Sequence, residues 1–181
     1  MTSQLRARAR KIKLLLLDVD GVLTDGRIYY LPQPGGRMIE TKTFHARDGL
    51  GLKMLRTAGI QTGIISGRTS PAVEYRAREL EIEFLQEGIL DKIVPYEKIL
   101  RAAGLRDAEV CYVGDDVVDL PVLRRAGLAA TVADCHPLVR RHVHYITRAP
   151  GGLGAVREVA DLILTAQGKW SQALGRLRSP A

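Results

Sequence analysis

The stretch from Lys13 to Asp20 constrains the fold more than any other part of the chain, because it is an apolar run that ends in two carboxylates. A strand with apolar side chains on both faces needs cover on both, as the central strands of a parallel sheet receive. Four further runs repeat the theme: Gln61 to Ser66, Ile82 to Gln86, Val110 to Gly114 and Leu128 to Val132. Between them Gly49 to Ala58, Pro71 to Glu81, Lys92 to Ala103 and Leu120 to Ala126 carry apolar residues at helical spacing. Strands alternating with helices predict an α/β fold built on a doubly wound parallel sheet. The length of 181 residues suits a single domain over 1–181, since one core is built from roughly 100–200 residues.

One stretch departs from the alternation. Arg27 to Leu31 and Met38 to Phe44 read as two strands joined by the turn Pro32-Gln33-Pro34-Gly35-Gly36, a β-hairpin at about 27–44. Because it follows the first strand directly, it is expected over the carboxyl edge of the sheet, where open α/β proteins bind ligands. Past Val132 the pattern predicts a short helix near Pro137 to Arg141, a last strand at Tyr145 to Thr147 and a helix over Ala155 to Gln167, with a frayed tail from about Gly168.

A composition of 46% hydrophobic and 26% charged residues carries no disordered or fibrous bias. The run Leu14 to Leu17 is far short of the ~20 residues of a membrane span, so neither a membrane helix nor a signal peptide is expected. Cys111 and Cys135 form no recognisable disulfide framework or zinc pattern, and the expected location is the reducing cytoplasm. A formal charge of +7 would gather anionic partners. Much of it lies in Arg6, Arg8, Arg10, Lys11 and Lys13 and in Lys169, Arg176 and Arg178, runs that read as solvated tails. With few aromatics and no recognisable binding motif, no nucleic-acid partner is expected.

The segment Asp18-Val19-Asp20-Gly21-Val22-Leu23-Thr24-Asp25-Gly26 carries the sharpest chemical signal. Two acids one residue apart can be a solvated turn, but here they have company. Phosphoryl transfer onto a carboxylate needs a nucleophile, a cation to neutralise charge, donors for the phosphate oxygens and a proton shuttle. Gly114-Asp115-Asp116-Val117-Val118-Asp119 follows another buried strand. Acids clustered there repel unless a divalent cation joins them, and hard oxygen donors suit magnesium. Asp116 and Asp119 have a second reading as caps of the next helix. Ser66-Gly67-Arg68 closes the second strand with a hydroxyl and backbone amides, and Lys92 opens a helix after the third. His142 and His144 lack nearby partner ligands for a metal, and Gly151 to Gly154 match no nucleotide-binding fingerprint.

The combination and order of these segments resemble the motifs of the haloacid dehalogenase superfamily, with its Rossmann-like fold. The resemblance implies that Asp18 attacks phosphorus and ligates Mg2+. Asp20 would protonate the departing alkoxide, activate water and ligate the metal through its carbonyl. It further implies that Asp115 supplies a second carboxylate ligand supported by Asp116 and Asp119, and that Ser66 and Lys92 hold the phosphoryl group. An acid two residues after the nucleophile marks phosphatases in this superfamily. The gaps from Asp18 to Ser66 and from Ser66 to Lys92 leave no room for a cap domain, so the hairpin stands in its place.

The hairpin, Phe44-His45-Ala46-Arg47-Asp48-Gly49, Ala133-Asp134-Cys135-His136-Pro137 and Gly151-Gly152-Leu153-Gly154-Ala155-Val156-Arg157-Glu158 together resemble the capless 3-deoxy-D-manno-octulosonate 8-phosphate phosphatases over nearly the whole chain. That resemblance implies a phosphorylated sugar acid as substrate, lipopolysaccharide inner-core synthesis as its setting, and a homotetramer packed through the hairpins. It also implies that Gly151 to Arg157 reaches a neighbouring active site. Asp20, His45, Arg47, Asp48, Gly49, Arg68, Arg76 and Lys92 are the expected substrate contacts, with arginine suited to a carboxylate. His45 stands where relatives often have Asn, and a partly buried histidine with one hydrogen bond is its other reading; Lys53 stands where some have Arg. A nine-carbon ulosonate 9-phosphate is the alternative substrate. A phosphorelay receiver, the alternative of another class, carries its acceptor aspartate after the third strand, where this chain has Gln86-Glu87-Gly88.

Overall fold

The computed structural model describes residues 1–175. In chain order its elements are α1 (Ser3–Ala9), β1 (Leu14–Leu17), the hairpin strands β2 (Tyr29–Pro32) and β3 (Met38–Thr41), α2 (Ala46–Thr57), β4 (Gln61–Ile65), α3 (Pro71–Glu79) and β5 (Phe84–Gln86). There follow α4 (Ile93–Ala103), β6 (Val110–Val113), α5 (Leu120–Leu123), β7 (Leu128–Thr131), β8 (Tyr145–Ile146), α6 (Ala155–Gln167) and α7 (Trp170–Gly175).

The four leucines of β1 are fully buried because the strand is central. The six-stranded sheet runs β5-β4-β1-β6-β7-β8, and every pairing in it is parallel. From β1 the chain passes by α2 to β4 on one side and later returns to β6 on the other, so the order reverses beside β1. That reversal opens a crevice at the carboxyl ends of β1 and β6, where Asp18 and Asp115 emerge. Right-handed crossovers put α2 and α3 on one face and α4 and α5 on the other. Helix α6 packs along α2, with α7 against both and α1 against α6. Gly51 permits that approach, since a Cβ there would lie 3.0 Å from the Arg157 side chain and 3.2 Å from Ala160.

Several boundaries differ from the sequence reading. Helix α2 begins at Ala46 because His45 caps it, Nδ1 accepting from the Arg47 N–H. The helix expected over 120–126 is the single turn α5, preceded by a 3-10 turn at Val117–Asp119. Pro32, expected in the hairpin turn, is paired with Met38 in the ladder instead. Two elements replace segments read as tails. Residues 3–9 form α1, in which Arg8 donates to the Gly127 carbonyl, and Arg10 just past it donates to that of Ala166. Past Gly168 the chain forms α7, with Ala173 buried, rather than fraying; Arg176 and Arg178 lie outside the described residues. Arg10, Lys11, Lys13, Arg106 and Lys169 line a hollow at the amino ends of the strands, so this part of the positive excess sits opposite the acids.

The hairpin stands apart from the sheet. Its two strands pair antiparallel from Tyr29 opposite Thr41 to Pro32 opposite Met38. Gly35 and Gly36, at φ 81° and 76°, supply the left-handed turn. Tyr30, Leu31, Met38 and Ile39 are 59, 50, 64 and 48% exposed; Leu31 and Ile39 pair on one face of the ribbon, and Tyr30 and Met38 lie on the other with Glu40.

Candidate active site

Asp18 leaves β1 in an extended conformation and is 7% exposed. Its Oδ1 accepts the Val19 N–H at 2.7 Å, and its Oδ2 lies 2.8 Å from Lys92 Nζ. Burial, then the charge of Asp119, push its carboxyl up to about 6, although Lys92 and the Val19 N–H favour the anion. Gly21 completes the loop at φ 84°, and a Cβ there would fall 2.2 Å from an oxygen of Asp115. Only glycine lets the β1 and β6 loops close on each other so tightly.

Lys92, 2% exposed at the start of α4, joins the two loops. Besides Asp18 it donates to Asp119 Oδ1 at 2.7 Å. Burial pulls its pKa down, but the two carboxylates outweigh that and hold it raised, so the ammonium is charged. Asp119 also accepts from the Tyr112 hydroxyl at 2.6 Å on Oδ1, and from the Asp115 and Asp116 N–H groups at 3.0 and 3.2 Å on Oδ2. Four donors satisfy its carboxylate. Although it lies within 4.8 Å of the other two acids, Asp119 is therefore a support that fixes Lys92 and the loop, with no lone pair left for a cation. Asp116 accepts from the Val117 N–H and caps the 3-10 turn. Both acids thus fill the capping role that was their second reading.

Asp115 differs. Its Oδ1 is buried without a hydrogen-bond partner, and burial together with Asp18, Asp119 and Asp116 pushes its carboxyl up to about 8. An orphaned buried carboxylate oxygen facing a second acid is the environment that a hard divalent cation would relieve. Asp18 and Asp115 fit such an ion.

Ser66, 2% exposed at the end of β4, accepts the Arg68 N–H at 3.2 Å. Asp18, Asp20, Ser66, Arg68, Lys92 and Asp115 share the lining of one cavity of about 180 Å³. The remaining expected residues lie elsewhere. Gly49 and Arg76 line a larger hollow of about 630 Å³ between α2 and α3, away from the acids. There Arg76 pairs with Glu79 at 2.6 Å and covers the Phe44 ring. Arg47 is exposed on α2. Asp48, expected against substrate, is fully buried and accepts the Gly154 N–H at 3.2 Å and the Arg157 N–H at 2.7 Å, anchoring the start of α6.

Gly151 to Arg157, expected to reach a neighbouring site, makes close contacts inside its own chain. Gly151 and Gly152 are buried on their own catalytic loop, with the Gly152 N–H donating to the Val22 carbonyl at 2.9 Å. A Cβ on Gly151 would stand 1.8 Å from the Gly21 carbonyl oxygen. Sequence reasoning missed Lys42 and Glu40 of the hairpin, whose side chains enter the site. Their signal was a charged residue at every second position of Ile39-Glu40-Thr41-Lys42, which puts both on one strand face.

A family profile for haloacid dehalogenase-like hydrolases matches residues 46–127. The 3-deoxy-D-manno-octulosonate 8-phosphate phosphatase of Yersinia pestis is 46% identical over 168 residues, 93% of this chain and 88% of that protein. Its counterpart in Escherichia coli K12 is 45% identical over 170 residues, covering 94% and 88%. The Yersinia pestis crystal structure matches with a TM-score of 0.88 at 45% identity, over 93% of this chain and 89% of that one. A Moraxella catarrhalis phosphatase of the same name, in complex with magnesium ion, phosphate ion and a KDO molecule, matches with a TM-score of 0.90 at 38% identity, over 98% and 100%.

Proposed function

From the premise that the chain belongs to the 3-deoxy-D-manno-octulosonate 8-phosphate phosphatase family of haloacid dehalogenase-like hydrolases, we propose that it hydrolyses that phosphomonoester to the free sugar acid and phosphate. One observation carries the reading: Asp18, Asp20, Ser66, Lys92 and Asp115 converge on a single cavity at the carboxyl edge of the sheet.

Asp18 attacks phosphorus, the bond to the sugar oxygen breaks, and the departing alkoxide takes a proton from Asp20. Asp20 then removes a proton from water, which attacks the aspartyl phosphate; the bond from phosphorus to Asp18 breaks and phosphate leaves. Lys92 and Ser66 hold the phosphoryl oxygens, and Asp119 keeps Lys92 charged and in place. Asp18, Asp115 and the Asp20 carbonyl would hold magnesium, which when bound neutralises charge on the transferring group. Arg68 at the rim faces the anionic substrate, with His45, Arg47, Gly49 and Arg76 assigned to binding by resemblance alone.

The chain is read as one hydrolase domain, acting in the cytoplasm in lipopolysaccharide inner-core synthesis. The uncovered apolar hairpin supports assembly into a homotetramer. No helix among the described residues is long and apolar enough to cross a membrane.

The test compares catalytic efficiency on the eight-carbon ulosonate 8-phosphate, a nine-carbon 9-phosphate and glucose 6-phosphate, each with magnesium, calcium or chelator. The eight-carbon compound with magnesium should lead glucose 6-phosphate by at least ~100-fold. Calcium should substitute poorly because it takes more and longer bonds. Equal efficiency on the three substrates, or full activity in chelator, would contradict the assignment.

A further inference from the structure

The side chain of Lys42, one residue past β3, is 1% exposed although it ends in an ammonium. Its Nζ donates to Asp20 Oδ1 at 2.5 Å and lies 3.1 Å from Glu40 Oε1. Glu40 Oε2 in turn accepts from Arg68 Nη2 at 2.5 Å, and Arg68 Nε lies 3.9 Å from Asp20 Oδ2. The four side chains close a ring of alternating charge at the cavity mouth. Burying an ammonium is costly unless carboxylates surround it, so Asp20 and Glu40 fix where Lys42 sits. The converse also holds: among the described residues, Lys42 alone donates a side-chain hydrogen bond to Asp20, and it engages one oxygen only. Oδ2, on the side of Arg68, is left to handle the proton.

We infer that Lys42 is a positioning residue for the acid Asp20: by clamping Oδ1 it locks the carboxyl rotamer that presents Oδ2 to the leaving oxygen. Glu40 completes the clamp by holding Lys42 and Arg68 together. The hairpin thereby contributes to chemistry within its own chain, and its seating is tied to the proton donor. The inference rests on the reading of Asp20 as the acid that protonates the sugar alkoxide.

Leaving groups separate this role from a structural one. A sugar alkoxide must be protonated as it departs, whereas p-nitrophenolate leaves readily as the anion. Single-turnover phosphoryl transfer should be followed for both substrates in the full-length chain with magnesium. Lys42→Met should slow transfer from the eight-carbon sugar phosphate by roughly 100-fold, the range of a general acid, and from p-nitrophenyl phosphate by less than about threefold. Lys42→Arg should recover at least about tenfold of the loss, since it keeps a charged donor in reach of Asp20. Should Lys42→Met fail to fold, the double variant Lys42→Met/Glu40→Gln, which leaves no unpaired hairpin carboxylate, carries the same test. Asp20→Asn serves as the reference and should show the same dependence on the leaving group. Equal losses on both substrates in the Lys42 variants, beside a selective loss in Asp20→Asn, would overturn the clamp. Equal losses in Asp20→Asn as well would overturn the reading of Asp20 beneath it.

Discussion

At the carboxyl end of β1, Lys92 and Asp119 are almost wholly out of solvent, and every polar atom of Asp119 has a donor. In the hairpin that follows, Leu31 and Ile39 pair on the face turned away from Glu40 and Lys42 and are 50 and 48% exposed. The catalytic edge spends its polar groups on one another and is complete within the described residues apart from Asp115. The hairpin's apolar face is unsatisfied until something covers it. A change in the first region should therefore damage chemistry and stability together, whereas a change on the outer face of the second should damage assembly alone.

Within this comparison the largest effect on stability is expected at Asp119. Asp119→Ala leaves Lys92 with one carboxylate and strands the Tyr112 hydroxyl and two backbone N–H groups. Removing one partner of a buried pair costs about 3–5 kcal/mol, and the loosened Lys92 should lower turnover by roughly 100-fold or more. Urea unfolding and steady-state kinetics on one preparation check both. A loss under about 1 kcal/mol with turnover within about threefold would show that the network is not a unit.

The hairpin offers the opposite result. Ile39→Lys, at a residue 48% exposed, should change unfolding free energy of the dissociated chain by no more than about 0.5 kcal/mol. Sedimentation should nonetheless show the proposed tetramer weakened at least about tenfold. Assembly intact with the chain destabilised would invert the comparison.

The smallest effect concerns pH. Asp18 and Asp115 bind protons more tightly in the folded, metal-free chain, at about 6 and about 8, than in the unfolded one. Folded stability from these groups is fully present below about pH 4 and is lost as pH rises toward 8. Asp115→Asn removes its share of that loss. In chelator it should melt like wild type at pH 4 and higher at pH 8, by on the order of 3 °C. Saturating magnesium should reverse the order, because the wild type alone keeps both carboxylates. Coincident melting curves at both pH values in chelator would contradict the repulsion.

Much of the sheet was legible because β1, β4, β6 and β7 are near-continuous apolar runs, a pattern that burial on both faces imposes. Strand ends then placed Asp18, Ser66 and Asp115 along one edge without further information. What stayed hidden depends on distant partners. The arginines in and just after α1 look like a solvated run until Arg8 meets the Gly127 carbonyl and Arg10 that of Ala166, contacts far away in sequence. Asp48 followed a family motif and read as a substrate ligand, but its N–H donors come from the start of α6. The alternation of Glu40 and Lys42 put both on one strand face, but that this face meets Asp20 depends on the fold. Gly151 and Gly152 read only as a loop, and the backbone that their lack of Cβ lets close in is the Gly21 to Asp25 stretch of their own chain.

The claim that Asp18 carries the phosphoryl group is tested most directly by acid-quenching a single turnover with magnesium and mapping the modified peptide by mass spectrometry. The wild type should carry one phosphoryl group on Asp18 at early times, lost as phosphate appears. Asp18→Asn should carry none and turn over at least about a thousandfold more slowly. Phosphate released with no covalent enzyme species at any time, a phosphoryl group mapped to another residue, or Asp18→Asn active within tenfold of wild type would contradict it.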